Sequence, residues 1–206
     1  ALWNRQYLDL LFYAKYPEDL LEWLEEKGAV PEIKDGDLPL IAEKMDFLGV
    51  NYYSRNKQKY DPVKDPILET YTLNPSEAKV NALDWEVYPQ GLYNEIYRVH
   101  EQYSTLPIYI TENGGAFTDD VLSEDGQVHD QQRIDYLQSH FKAMKQLIDD
   151  GVDLRGYYIW SLLDNFEWHM GYGPRFGIFY VDFDTQKRIW KDSAKWYQQF
   201  IRSQRQ

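Results

Sequence analysis

Glu112 is the last residue but one of the run Pro107-Ile108-Tyr109-Ile110-Thr111-Glu112-Asn113, which breaks at Gly114-Gly115. The run starts apolar, is too short for a helix and is stopped by paired glycines. It therefore reads as a buried strand entering a tight turn. A carboxylate in that position is costly unless it is paired or used. If paired, Glu112 meets an arginine or backbone amides at the mouth of a loop, as structural ion pairs do. If used, it faces a substrate, and other parts of the chain must bring up its partners.

Two further polar clusters follow apolar runs in the same way. Phe47-Leu48-Gly49-Val50 leads into Asn51-Tyr52-Tyr53, and Arg155-Gly156-Tyr157-Tyr158-Ile159 leads into Trp160-Ser161-Leu162-Leu163-Asp164-Asn165-Phe166-Glu167-Trp168. Strand side chains alternate, so Asn51 and Tyr53 are expected on one face, and Ile110 and Glu112 likewise. With those faces inward, a carboxylate, a phenol and an amide converge at one rim.

The elements that must hold them follow from the periodicity. Trp3, Tyr7, Leu8 and Leu11 keep the helical period from the first residues, and a second helix opens at Tyr16-Pro17 and stops at Gly28. A short helix is expected over residues 39–45, a strand over 47–53, a long polar loop over 54–88 and a helix over 89–103. The Glu112 strand and an acidic loop at 117–128 come next. The helix over 130–150 places Ile134, Leu137, Phe141, Met144 and Ile148 on one side, with His140 beside them in a packing role. A third strand covers 155–161, a hairpin over 175–190 turns near Asp184-Thr185, and a helix over 191–206 turns Trp196, Tyr197, Phe200 and Ile201 inward. The apolar runs lack alternation, as in strands of a parallel sheet buried on both faces. Strand then helix, three times over, implies right-handed parallel crossovers, and in a (β/α)8 barrel the site lies in the loops after the strands.

Composition removes several classes of function. The 206 residues carry 22 basic and 34 acidic side chains, a net charge of −12. That charge opposes nucleic acid and anionic membrane surfaces, which need a basic footprint. No cysteine is present, so neither a disulfide framework nor a thiolate metal site is available. His100, His129, His140 and His169 show no paired ligand spacing, and neither metal nor cofactor is expected. No apolar run is long enough to span a bilayer and no leader pattern is visible, so the expected location is cytoplasmic. The 7 Trp and 18 Tyr build cores, and exposed ones also make flat platforms for sugar rings.

Ile110-Thr111-Glu112-Asn113-Gly114 resembles the nucleophile motif of family 1 glycoside hydrolases, the β-glucosidase family. Trp160 to Trp168 is similar to that family's sugar-binding segment almost letter for letter. Leu48-Gly49-Val50-Asn51-Tyr52-Tyr53, Trp85-Glu86-Val87-Tyr88-Pro89 and Arg175-Phe176-Gly177 match in the family's order. The resemblance implies a retaining β-glycosidase acting on β-glucosides or related β-glycosides. Glu112 would be the nucleophile, Tyr53 would hydrogen-bond it, and Asn51 would help position the sugar and the catalytic carboxyls. Trp160 would lie under the sugar ring, with Glu167 and Trp168 on its hydroxyls. Trp85 would flank the leaving group and Phe176 would close the wall.

The same resemblance shows what is missing. The family's acid/base motif, Thr-Phe/Leu-Asn-Glu-Pro, does not occur here, nor do its N-terminal Gln and His. Residues 1–206 thus resemble one C-terminal part of a single TIM-barrel domain, from the helix after the fifth strand onward. Three strands cannot close an eight-stranded barrel, so the expected partner is the N-terminal half of the same barrel. Asp84 stands before Trp85 where the family usually has Gly, and Trp190 stands near where Pro is common. Two other readings stay open: a non-catalytic carbohydrate-binding module, and a scaffold half-barrel.

Overall fold

The computed structural model describes residues 2, 4–65, 67–73, 79–103 and 105–204. In chain order these form α1 (Arg5–Tyr13), α2 (Glu18–Glu26), α3 (Asp37–Ile41), β1 (Leu48–Tyr52), β2 (Lys57–Tyr60), β3 (Thr70–Leu73), α4 (Pro89–Gln102), β4 (Ile108–Asn113), α5 (Gln131–Asp149), β5 (Leu154–Ile159), β6 (Phe179–Val181), β7 (Arg188–Trp190) and α6 (Asp192–Ser203). A single 3₁₀ turn, Trp168–Met170, lies in the loop after β5.

The three apolar runs form one parallel sheet in the order β1-β4-β5. Leu48 is in register with Ile108, and Ile108 with Leu154. Helices α4 and α5 cover one face. Leu92 and Ile96 of α4 and Leu147 of α5 close over Tyr52, Ile108 and Ile110. Full burial of side chains of this size stabilises by roughly 1.5–3 kcal/mol each. A second cluster joins Tyr136, Leu137 and Phe141 of α5 to Trp196, Tyr197 and Phe200 of α6. Helix α4 can approach this closely because Gly91 has no side chain; a Cβ there would collide with the Tyr52 hydroxyl. That hydroxyl donates to the Tyr88 carbonyl at 2.6 Å, at the helix start.

The other face of the sheet differs from the reading above. Gly49, Asn51, Thr111, Arg155 and Tyr158 are exposed there, and burial along β1 alternates instead of being continuous. The strands are apolar enough for two-sided burial, yet among the described residues only one side is covered. In the three-stranded sheet, β1 and β5 each present one unpaired edge.

Other elements shift as well. Residues 54–88 are not all loop, because β2 and β3 pair as an antiparallel hairpin from Lys57↔Leu73 to Tyr60↔Thr70. All four residues of β2 are exposed, so no apolar alternation marked it. Pro66 and Pro75 lie outside the described residues. Helix α3 starts earlier than expected, at Asp37, whose carboxylate accepts the Lys34 N–H at 2.8 Å. Pro39 falls in its first turn, where N–H groups have no helical acceptor anyway. In α1, Tyr7 is exposed, and Trp3 lies outside the described residues. In α5, Leu147 is buried and Ile148 is 54% exposed, so the inward stripe ends one residue earlier. The hairpin of β6 and β7 turns as expected, with the Asp182 carboxylate accepting the N–H groups of Asp184 and Thr185. Among the described residues no helix is long and apolar enough to cross a membrane.

Candidate active site

Glu112 sits where β4 slips register. Val50 pairs with Ile110, but the next residue, Asn51, pairs with Glu112. The strand thus gains one residue, and a slip of one moves every later side chain to the other face. This overturns the expectation that Ile110 and Glu112 share a face. Ile110 is buried against the helices, as is Asn113 after it, whereas Glu112 is only half-buried. The Asn113 amide donates to the Tyr52 carbonyl at 2.7 Å and the Tyr136 hydroxyl at 2.8 Å. Its oxygen accepts from Tyr157 at 2.8 Å. With the amide locked on the helical side, the carboxylate of Glu112 is free to meet other partners.

That partner is Tyr53, whose phenol donates to Glu112 Oε2 at 2.5 Å. Burial pushes the Tyr53 pKa well above its ordinary value, reinforced by the hydrogen bond to Glu112, by its charge and by that of Glu167. The phenol therefore stays protonated and serves as a donor. Three rings gather here. Tyr53 lies 5.8 Å from Trp85 and 6.3 Å from Phe176, both edge-on, and Trp85 lies 6.2 Å from Phe176. Phe176 is buried, while Trp85 is partly exposed. Asn51 stands beside this group and accepts the Thr111 hydroxyl at 2.6 Å.

Trp85 is carried by a tight loop. The buried Asn81 side chain accepts the N–H groups of Leu83 at 2.8 Å and Trp85 at 3.1 Å. Between them Asp84 has φ +57°. That left-handed conformation is why glycine suits the position, and Asp is among the few residues that tolerate it. Arg55 fixes the loop from the other side, with two bonds of 2.8 Å to Glu86 while stacking 3.5 Å over the Tyr88 ring. The Arg55 hydrogen bond holds the Glu86 carboxyl below its usual range. A cleft of about 240 Å³ lies between this loop and the β2–β3 hairpin, with Ser54, Thr72 and Trp85 in its walls.

Trp160 joins the site at the strand end. Its N–H donates to the Asn113 carbonyl at 3.0 Å. A Cβ on Gly114 would collide with the Trp160 carbonyl oxygen, so this approach requires glycine. Glu167 is half-buried and near enough to add to the field at Tyr53. Trp168 is 80% exposed, and its indole makes no ring contact or hydrogen bond with the other site residues. The structure thus brings Glu112, Tyr53, Trp85 and Phe176 together, sets Asn51 and Trp160 alongside, and leaves Trp168 apart.

Sequence reasoning missed what anchors these loops. Arg133, Arg175 and Lys191 meet Asp120, Asp130 and Asp164 in a buried, charge-balanced cluster. The Asp164 carboxylate accepts from Arg175 at 2.6 Å, Lys191 at 2.8 Å and the Gly177 N–H at 3.0 Å. Ser193 donates to Asp130 at 2.5 Å. Burial pushes the Asp120 carboxyl up and the Lys191 ammonium down. The six charges are scattered through the sequence. The one legible signal was Arg133, which stands four residues before Leu137 on the inward face of α5. Among the described residues no three His, Asp or Glu side chains group as a metal would require.

Residues 1–206 match the sequence profile of Glycosyl hydrolase family 1. The chain belongs to that family. It is 47% identical over 197 residues to beta-glucosidase A of Thermotoga maritima, covering 96% of this chain and 43% of that protein. It is 40% identical to the bifunctional beta-D-glucosidase/beta-D-fucosidase of Bifidobacterium breve, covering 96% and 46% respectively. The crystal structure of a beta-glucosidase from Exiguobacterium marinum superposes with a TM-score of 0.90 at 42% identity, over 98% of this chain and 45% of that one. The Thermotoga maritima beta-glucosidase in complex with castanospermine superposes with a TM-score of 0.87 at 46% identity, over 96% and 43%. The chain spans less than half the length of these family 1 relatives. The β1-β4-β5 sheet with its helices is accordingly part of a (β/α)8 barrel.

Proposed function

We propose that this chain is the C-terminal part of a retaining β-glycosidase that hydrolyses β-glucosides or closely related β-glycosides. The observation that carries the reading is the Tyr53 phenol held at 2.5 Å from Glu112 at a strand end, within a wall of Trp85 and Phe176. In the first step Glu112 attacks the anomeric carbon while a second carboxyl protonates the glycosidic oxygen, and the bond to the leaving group breaks. In the second, that carboxyl takes a proton from water, which attacks the anomeric carbon and frees Glu112. Tyr53 and Asn51 keep the nucleophile and sugar in place. Glu167 and Trp168 bind hydroxyls of the sugar, Trp160 lies beneath its ring, and Trp85 faces the leaving group.

The acid/base carboxyl belongs to the N-terminal part of the barrel. That part pairs with the open edges of β1 and β5 and covers the exposed face. Such an interface resembles a domain core cut in two, large and apolar. The free edges and the coverage of 43–46% of the relatives support this partner. Trapping tests the reading. The assembled protein, treated with a 2-deoxy-2-fluoro β-glucoside, should gain one sugar mass on the peptide that contains Glu112. Binding of glycans with no adduct would replace the enzyme with a carbohydrate-binding module, and neither adduct nor binding would leave a scaffold.

A further inference from the structure

Arg133 uses every N–H of its guanidinium. Nε donates to Asp130 at 2.9 Å. Nη1 donates to the carbonyls of Gly115 and, at 3.2 Å, Phe176. Nη2 donates to Asp120 and to the Arg175 carbonyl, the latter at 2.9 Å. The side chain is 2% exposed. Five donors in a fixed planar fork meet five acceptors, which no lysine can reproduce.

The acceptors are what give this arrangement meaning. Gly115 lies three residues beyond Glu112, on the turn that ends β4. Arg175 and Phe176 lie on the segment whose ring packs edge-on against Tyr53. One guanidinium therefore ties the backbone behind the carboxylate to the backbone behind the aromatic wall. We propose that Arg133 is a positioning residue for the glycosidase reaction, fixing the Glu112 turn against the Phe176 segment so that the Tyr53 phenol stays seated on the nucleophile. The inference rests on the function proposed above. Charge balance alone does not need this geometry, since an ammonium would satisfy Asp120 and Asp130. The three carbonyl contacts do need it.

The test uses the assembled enzyme with Arg133→Lys, with the milder Asp120→Asn, and with Leu20→Ala, which truncates the buried core side chain of α2, as a control for lost stability. Measured are kcat and KM on an activated aryl β-glucoside, the inactivation rate with the fluorinated glycoside, and a crystal structure of each variant. Arg133→Lys should lose roughly 10- to 100-fold in kcat, the cost of a displacement near 1 Å at a reacting group. KM should stay within about threefold, and inactivation should also slow, because it reports attack by Glu112 alone. Asp120→Asn loosens one arm of the fork and should lose about tenfold or less. Leu20→Ala should lower Tm with kcat unchanged. If Arg133→Lys fails to fold, Asp120→Asn decides. Values of kcat matching the Leu20→Ala control, or an unmoved Tyr53–Glu112 contact in the variant crystals, would overturn the proposal. A wild type inactive on every aryl β-glycoside would instead remove the glycosidase reading, and the crystal structures would still decide whether Arg133 seats the phenol.

Discussion

At the end of β4 the chain is held from every side. Asn113 is bonded to Tyr52, Tyr136 and Tyr157, Gly114 touches the Trp160 carbonyl, Gly115 accepts from Arg133, and Glu112 accepts from Tyr53. In the loop after β5 only the base is held so firmly. Asp164 is buried among Arg175, Lys191 and backbone N–H groups, but Phe166, Trp168 and Met170 at the tip are exposed. The Glu167 N–H closes the tip on the Gly171 carbonyl at 2.7 Å, and its side chain forms no ion pair among the described residues. The difference teaches which tasks this part of the barrel completes alone. Under the proposed function Glu112 is a nucleophile that fixed neighbours must pre-organise, and Tyr53, Asn113 and Arg133 hold its surroundings here. A sugar-binding tip needs opposing surfaces, and under the proposed function these come with the N-terminal part.

The sharpest way to break this comparison is at Glu112. In the assembled enzyme, Glu112→Ala should cost several orders of magnitude in kcat, because no neighbour can replace the carboxylate. Asn113 is committed to the helical side of the sheet. Retaining enzymes keep their two carboxyls roughly 5–5.5 Å apart, with no space for water. Shortening Glu112 opens that space to azide or formate, so activity should partly return, and with azide the product should be the α-glycosyl azide. Near-normal activity in the variant, or an inverted product from the wild type, would remove Glu112 as nucleophile.

Glu167→Ala probes the looser region. Contacts to remote hydroxyls tighten in the transition state, so both kcat and binding should fall, by about 100-fold in kcat/KM. A change confined to KM would mean that the tip only holds the sugar. Tyr53→Phe returns to the ordered region with a smaller change. Loss of one donor to Glu112 should lower kcat by roughly 10- to 100-fold with the fold intact, since the ring contacts to Trp85 and Phe176 survive. An unchanged kcat would show that the phenol is not needed to seat the carboxylate.

The contrast also explains what was legible in the sequence. Period and punctuation located the three parallel strands and the helices α4, α5 and α6, because each buries a regular stripe. They could not locate β2, whose four residues are all exposed, nor the extra residue in β4, which leaves composition untouched and changes only register. The contiguous motifs pointed to Glu112, Tyr53, Trp85 and Phe176, and folding brings these together. Which side Glu112 faces came only with the slip. Apart from Arg133, the buried charge cluster was invisible for a different reason. Asp120, Asp164 and Lys191 each look like surface residues in their own segments, and only tertiary packing makes them partners.

The last test concerns the packing behind β4. His140 is fully buried on α5, stacked 3.9 Å from the Tyr136 ring. Its Nδ1–H donates to the Tyr136 carbonyl at 2.8 Å, and among the described residues Nε2 finds no partner. Burial holds its pKa down at about 4, against a partial upward pull from the Tyr136 carbonyl. In the unfolded chain a histidine titrates near 6.5. Between those values the unfolded state carries the extra proton, so stability rises with pH across this window and is lost as pH falls through it. The gap corresponds to about 3 kcal/mol. Carboxylates elsewhere add their own pH dependence, so the informative quantity is a difference. Urea unfolding of the assembled wild type and of His140→Gln, which cannot titrate, should converge as pH drops from 6.5 to 4. Glutamine forfeits the ring stacking, so the variant should start less stable at pH 7. Its stability should then fall less steeply with acid. Parallel curves for the two proteins across that range would mean that His140 is accommodated equally well when charged, and that the region behind Asn113 and Tyr136 is less rigid than its contacts imply.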